Sequence, residues 1–499
     1  MTDTERPDPE SLLQGLDEMQ LRAAHAVCGP VRIIAGAGAG KTRTITRRIA
    51  YGCATDMWNP KHVLAVTFST KAAREMKVRL EQLGVGDVHA ATFHSAALGQ
   101  LRRVWSSVTT DDFPGLVSVS RQALVGAVQA MSGRDDVSPM ELRDIAAEIN
   151  WMKVSLIAPE EYQKLCEMTQ RMPPAQLDPD VFARLADEYE RRKAAVGVMD
   201  FNDILLLTCH ILERFPEQAA SIQRTIESIT VDEYQDVSPL QHRLLRLWLG
   251  PIREICVVGD SAQTIYSFAG ATNYYLRNFG NEFAPVKSDI VLNRDYRSTP
   301  QIVKYANNVL APSPCCGDYI QLESARDDGQ GVRLAQFDDE VAEAKGIAAH
   351  IHRLVGKGVA VDDIGVLTRT NDELRPIASA LHAAGVPYAL LRMPSPSDAE
   401  SDGDPDAPSA PPAPRHCVTL STIHSAKGLE WKYVFVAGCA EGQIPFGNPQ
   451  TQDELEEERR LMYVAVTRAQ DRLFPSYPAR KSGARGMMRR DVSRFLLGR

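Results

Sequence analysis

The 499-residue chain has no apolar run of the roughly 20 residues that a membrane-spanning helix needs. Its start, Met1 to Glu10, lacks a basic opening and an apolar core, so it reads as an acidic tail and not a secretory signal. Aromatic residues are sparse, at 7 %. The nine cysteines include no Cys-x-x-Cys pair, and the adjacent Cys315 and Cys316 suit neither a zinc knuckle nor an ordinary disulfide. Reduced thiols and a cytoplasmic protein with no membrane contact are expected. Excess positive charge is also missing, since the formal net charge is −8. That weakens the case for a nucleic-acid binder without removing it, because binding needs only a local basic face. One local excess exists: Arg472 to Arg499 holds eight basic residues against the single acid Asp491, either a binding face or a solvated tail. With 44 % hydrophobic and 24 % charged residues, the composition is that of a soluble globular chain of about three domains.

What is present is a phosphate cradle. The apolar run Val31-Arg32-Ile33-Ile34 leads into Ala35-Gly36-Ala37-Gly38-Ala39-Gly40-Lys41-Thr42, and a helix-like segment follows to Ile49. A strand, a glycine loop and a helix N-terminus in that order aim backbone N–H groups and the helix dipole at an anion. Lys41 supplies a point charge for β- and γ-phosphates, and the Thr42 hydroxyl can ligate Mg²⁺. The strict pattern has glycine first, where this chain has Ala35. ATP and Mg²⁺ are the expected ligands.

The rest of the chain repeats strand, loop and helix. His62 to Phe68 reads as a buried strand followed by a helix from Lys71 to Leu80. From about 96 to 196 the strand signal gives way to helical spacing, as in Met140 to Trp151 and Pro179 to Lys193. Strands resume at Ser228–Val231 and Glu254–Val258, and a second α/β unit is expected from about Val286. Its strands are placed at Gly331–Phe337, Ile364–Thr368 and Val434–Ala437, with a helix over Ala342–Val355. Between Met393 and Arg415 lie seven prolines and five acids with almost no large apolar residue, an extended linker by composition.

Further chemistry sits at strand ends. Asp232-Glu233 follows a strand directly; Asp232 can hold Mg²⁺, and Glu233 can orient and deprotonate an attacking water. Gln263, past the next strand, can touch a γ-phosphate. Arg297 and Arg468 can offset charge that builds on phosphoryl oxygens, although spacing alone reads each as a surface residue.

These blocks together resemble the UvrD/Rep/PcrA family of superfamily 1 helicases. The match runs in order through Gln20, Ala35–Thr42, Thr67–Ala73, Thr92–Ser95, Asp232–Asp236, Gly259–Ala271, Tyr296–Thr299, Thr422–Glu430 and Glu457–Ala469. The resemblance implies an α/β fold of two RecA-like parallel-sheet P-loop motor domains, with a helical insertion in the first. The expected division is a disordered tail over 1–15, a first motor domain over 16–95 and 197–285, and a helical accessory insertion over 96–196. The second motor domain spans 286–392 and 416–499, and the acidic Pro-rich linker 393–415 stands where relatives carry an accessory domain. By resemblance, Gly36 to Gly40 cradle phosphates, Gln20 reads adenine, Arg43 and Tyr296 sandwich its ring, and Glu430 meets the ribose. Gln263 senses the γ-phosphate, while Arg297 and Arg468 act as fingers from the second domain. Phe68, His94, Tyr266 and Phe268 match positions along a single-strand path, with Thr67, Thr92 and Ser95 as phosphate contacts. His424 lies in a motif that couples DNA to ATP. Tyr266 is expected to be the most exposed of the rings, and Phe68 can be core.

Two departures stand out. The family's Trp-Arg-Gly is Phe268-Ala269-Gly270 here, which leaves less stacking area and one charged contact fewer. The family's Gly-Gly-x-x-Phe-Phe motif is absent after Tyr388. The resemblance therefore implies an ATP-dependent 3′→5′ helicase or translocase on single-stranded and tailed duplex DNA. It implies a monomer or weak dimer, associated with the nucleoid and with DNA repair proteins. The alternatives are a translocase that strips proteins but unwinds poorly, and a non-hydrolysing DNA-binding module.

Overall fold

A computed structural model describes residues 8–134, 136–391, 416–483 and 486–496. The expected linker 393–415 lies outside the described residues. Two six-stranded sheets organise the chain. The first is built from β1 (Val31–Ala35), β2 (Val63–Thr67), β3 (His89–Thr92), β4 (Ser228–Val231), β5 (Ile255–Gly259) and β6 (Ser288–Leu292), in the order β3-β2-β4-β5-β1-β6. The second contains β7 (Ala335–Phe337), β8 (Ile364–Thr368), β9 (Tyr388–Leu391), β10 (Val418–Thr422), β11 (Trp431–Val436) and β12 (Ala469–Pro478), in the order β7-β12-β11-β8-β10-β9. Every pairing in both sheets is parallel. Parallel sheets bury both faces, which explains why β2, β4, β5 and β8 are buried at every residue and read as continuous runs.

Helices cover both faces. Ile33, Val258 and Ile290 pack with Ile45 and Ile49 of the helix Lys41–Ala54 on one side of the first sheet. Val66, Ile229 and Val231 pack with Leu240 and Leu244 on the other. In the second sheet, Val434 and Val436 pack with Tyr463 and Val464, while Val366 and Leu420 pack with Ile351 and Ile377. Ala37, Ala262 and Ile265 join the second domain's core, so apolar packing spans the cleft between the sheets.

Several boundaries differ from the sequence reading. Ser288–Leu292, expected in the second unit, pairs with β1 along its whole length and forms an edge of the first sheet. Of the tail 1–15, residues 1–7 lie outside the described residues, and Leu12 and Leu13 are buried. Arg47 donates to the carbonyls of Leu12 and Gln14, which ties this segment to the helix behind the glycine loop. The helix Phe93–Val108 packs Ala97, Leu101 and Val104 into the first sheet's core rather than into the insertion. The insertion has its own core, with Leu124, Ile145, Ile149, Tyr162, Phe182 and Leu185. A two-stranded ribbon, Gly115–Leu116 with Val198–Met199, joins its entry and exit. The strand expected over Gly331–Phe337 forms only at Ala335–Phe337. The basic C-terminal stretch is not simply a solvated tail: Arg472 lies in β12, and Ser493 and Phe495 are buried.

Candidate functional site

The glycine loop leaves the C-terminal end of β1 and enters the helix Lys41–Ala54 through Gly40 in the left-handed region, φ +76°. Gly38 also has positive φ, and a β-carbon there would overlap the Asp295 carboxylate. Both positions therefore favour glycine, on conformation and on space. Lys41 Nζ lies 3.7 Å from Glu233 Oε1 at the end of β4. Glu233 itself takes a left-handed backbone, φ 52°, a costly conformation for a side chain with a β-carbon. Its N–H donates to Asp232 Oδ1 at 2.9 Å, and the Gln235 amide donates to its Oε2 at 2.5 Å.

The two acids are driven apart electrostatically. Burial and the charge of Glu233 push Asp232 well above the ordinary carboxylate range. Burial alone would raise Glu233 too, but Lys41, Lys427 and the Gln235 amide hold it below that range. Thr42 and Asp232 offer the hard oxygen donors that Mg²⁺ prefers, so these residues fit the ion.

A cleft of about 830 Å³ is lined by Gly36 to Arg43, Glu233, Gln263, Tyr296, Arg297, Glu430 and Arg468. Arg468 is 2 % exposed, and its Nη2 donates to Gln263 Oε1 at 3.4 Å across the cleft. Burial and the nearby Arg297 lower its pKa. Arg297 pairs with Glu430 and donates to Thr467 O at 3.3 Å. Arg43 and Tyr296 both line the cleft; Arg43 donates to Gly15 O at 2.8 Å, and the Tyr296 hydroxyl donates to Asp17.

Gln20 is placed differently from a residue free to read a base. It is buried, its Oε1 accepts from Asp17 N at 3.2 Å, and its Nε2 donates to Ala39 O at 3.0 Å. In this conformation it braces the back of the glycine loop.

Lys427 was not singled out by the sequence reading. It donates to Asp236 and to Gln263 O, the latter at 2.6 Å, from the second domain into the first. Its signal was its place in the Thr422–Glu430 block, three residues past His424. Arg460, donating to Thr264 O at 2.7 Å, and Glu457, accepting from Ser267 N at 3.1 Å, add further ties.

Four rings form a second constellation beside the cleft. Phe68 and Tyr266 stack at 5.6 Å and 9°. Phe268 meets Tyr266 edge-on at 6.2 Å and His424 edge-on at 5.6 Å. The Tyr266 hydroxyl donates to His424 O at 3.0 Å. Phe68 and Phe268 are 45 % and 62 % exposed, whereas Tyr266 is partly buried, the reverse of the expected ranking. Burial, with Arg369 and Lys427 nearby, lowers the His424 pKa to about 4, so the ring is neutral at physiological pH.

His94 is not with these rings. It meets Phe201 edge-on at 6.2 Å, its Nε2 is buried without a partner, and burial lowers its pKa to about 4. Thr67 and Thr92, expected to touch phosphates, are buried. Thr67 Oγ1 donates to Ser69 O at 3.0 Å, and Thr92 Oγ1 accepts from Ser95 N at 3.1 Å, capping the next helix. Ser95 is exposed.

Two family models match most of the chain. The UvrD/REP helicase N-terminal domain matches residues 16–284, and the UvrD-like helicase C-terminal domain matches 290–393 and 408–480. The ATP-dependent DNA helicase UvrD2 of Mycobacterium tuberculosis is 37 % identical over 580 aligned positions, which cover 98 % of this chain and 82 % of the relative. The ATP-dependent DNA helicase PcrA of Bacillus subtilis is 33 % identical over 384 positions, covering 76 % of this chain and 51 % of the relative. The alignment to UvrD2 is longer than the 499-residue chain, so that relative holds residues without a counterpart here.

Proposed function

The chain belongs to the UvrD-like family of DNA helicases, and on that premise we propose that it is an ATP-dependent motor that moves 3′→5′ on single-stranded DNA and separates tailed duplexes. One observation carries the reading. The loop Thr422–Glu430 is bonded into the nucleotide cleft through Lys427–Asp236 and Glu430–Arg297, and to the ring row through His424. A change in the cleft therefore reaches the DNA-facing rings through nine residues of chain.

The residues divide the work. The glycine loop and Lys41 bind and orient the β- and γ-phosphates. Thr42 and Asp232 would hold Mg²⁺, which when bound would offset the negative charge of those phosphates. Glu233 positions the water and receives its proton. Gln263 senses the γ-phosphate, and Arg297 and Arg468 offset charge built in the transition state. Because Arg468, Lys427 and Arg460 reach the first domain from the second, losing the γ-phosphate loosens the cleft and shifts the domains. Phe68, Tyr266 and Phe268 grip any sequence by stacking, with Ser95 as a phosphate contact. We assign the helical insertion as the accessory part of a monomer or weak dimer, with the 393–415 linker standing where relatives carry a second accessory domain. Its setting is DNA repair or replication restart at the nucleoid, with repair proteins as partners.

A second reading, a translocase that strips proteins but unwinds poorly, is favoured by the short link between Leu391 and His416. ATP turnover by the full chain, with and without single-stranded DNA, tests the motor. Stimulation by DNA is expected, and no turnover in either condition would mean a non-hydrolysing binder.

A further inference from the structure

The second domain holds a cavity of about 630 Å³ that neither the nucleotide nor the ring row uses. It lies where the edge strand stops short. β7 pairs with β12 only at Ser476–Pro478, although β12 begins at Ala469. Residues Arg472–Pro475 thus pair with β11 on one side and, among the described residues, with no strand on the other. Ala479 N donates to Phe337 O on the β7 side, and backbone groups alternate along the strand, so Leu473 and Pro475 face the unpaired side and offer an added strand one N–H and two carbonyls.

The cavity's walls are aromatic and its rim is cationic. Phe435 and Phe474 stack at 4.6 Å, and His350 meets them edge-on at 5.3 and 4.6 Å. Arg333 and Arg472 also line it, and among the described residues no acidic side chain does. Arg353 and Lys357 lie close enough to His350 to act on it electrostatically alongside Arg472. Among the described residues, these four cations make no ion pair, whereas nearby Arg326 and Lys432 are matched by Asp471 and Asp363. Two cations in the lining, one of them Arg472 over the Phe474 ring, with two more beside His350, call for an acidic ligand with an apolar anchor.

We propose that this cavity docks an extended acidic segment of a partner protein, which adds to the open edge of β12 and seats one aromatic or leucine side chain inside. The rings argue against nucleic acid as the occupant. Stacking platforms for bases stand exposed, as Phe68 and Phe268 do, while Phe435 is 2 % exposed and serves as wall. An open strand edge complements a peptide backbone and not a phosphodiester.

The test uses the full chain saturated with oligo-dT, so that the DNA path is filled. The probe is a set of fluorescein-labelled nine-residue peptides in which Asp alternates with Phe, Tyr, Trp or Leu. A matched set carries Lys for Asp. Anisotropy should show the acidic set binding at least ten-fold more tightly. The double substitution Arg333→Glu and Arg472→Glu should remove that preference and leave DNA-stimulated ATP turnover unchanged. Bound peptide should also slow hydrogen exchange at the Leu473 amide, which faces the unpaired side, and leave the Phe474 amide, which faces β11, unchanged. The proposal is overturned if no acidic peptide exceeds its Lys counterpart, or if the charge reversals leave binding intact. Excess oligo-dT that displaces the peptide would reassign the cavity to nucleic acid.

Discussion

At the scale of single residues, the cleft works because few groups are free to be elsewhere. Lys41 faces Glu233 at 3.7 Å, so Lys41→Ala removes both the phosphate charge and the partner that holds Glu233 low. ATP turnover should vanish, with the fold kept as judged by circular dichroism. Glu233→Gln keeps the shape but cannot accept a proton; nucleotide binding should persist while hydrolysis falls by about 10²–10⁴-fold, as expected for a lost general base. Lys427→Ala cuts the tie to Asp236 and Gln263 O without touching the glycine loop. Stimulation by DNA should drop more than basal turnover, and equal losses would place Lys427 in the chemistry itself. Phe268→Ala removes a 62 % exposed ring and should weaken oligo-dT binding by about 1–3 kcal/mol, measured by anisotropy. Lys41, Thr42, Asp232, Glu233 and Gln263 were legible because their residue types at strand ends follow from phosphate chemistry, whereas Arg297 and Arg468 read as surface residues by spacing and Arg43, Tyr296 and Glu430 came only with the family resemblance. Lys427 was not legible, since its partners Asp236 and Gln263 lie 191 and 164 positions away and only the packing of the two domains brings them near. Thr67 and Thr92 are buried and bonded locally, and His94 stands apart from the rings; a hydroxyl or imidazole beside a strand end reads the same in sequence whether it faces solvent or closes a turn.

At the scale of elements, the strand–glycine loop–helix unit could be read directly, because Gly38 and Gly40 take backbone shapes that other residues resist. The helical insertion was legible as helices, but its root was not. There Lys153 and Lys193 are buried among Glu190, Asp200 and Asp203, with Lys153 Nζ at 2.6, 2.6 and 2.7 Å from Glu190, Asp200 and Asp203. These residues come from three helices and a turn, so no local pattern announces them. Lys153→Met leaves buried acids short of a cation. The helix Pro139–Val154 should then open more easily by about 3–5 kcal/mol, read by hydrogen exchange. Unchanged protection would mean that Lys193 alone suffices. The strand Ser288–Leu292 shows a limit of the same kind: its apolar pattern names a strand, and only its pairing with β1 says which sheet owns it.

At the scale of the whole molecule, two parallel sheets face each other across a cleft whose far wall supplies Arg468, Lys427 and Arg460. Strand–helix alternation predicted the sheets, and the order of motifs predicted the family. Neither could supply the distance between the walls, which depends on long-range packing such as Ala37 and Ile265 against the second core. The proposed motor turns this closure into directional movement on DNA. Unwinding of 3′-tailed and 5′-tailed duplexes by the full chain, with ATP turnover followed in parallel, tests it most directly. ATP-dependent strand separation is expected on the 3′-tailed substrate, with little on the 5′-tailed one. Vigorous turnover with separation of neither substrate, or with preference for the 5′ tail, would contradict it.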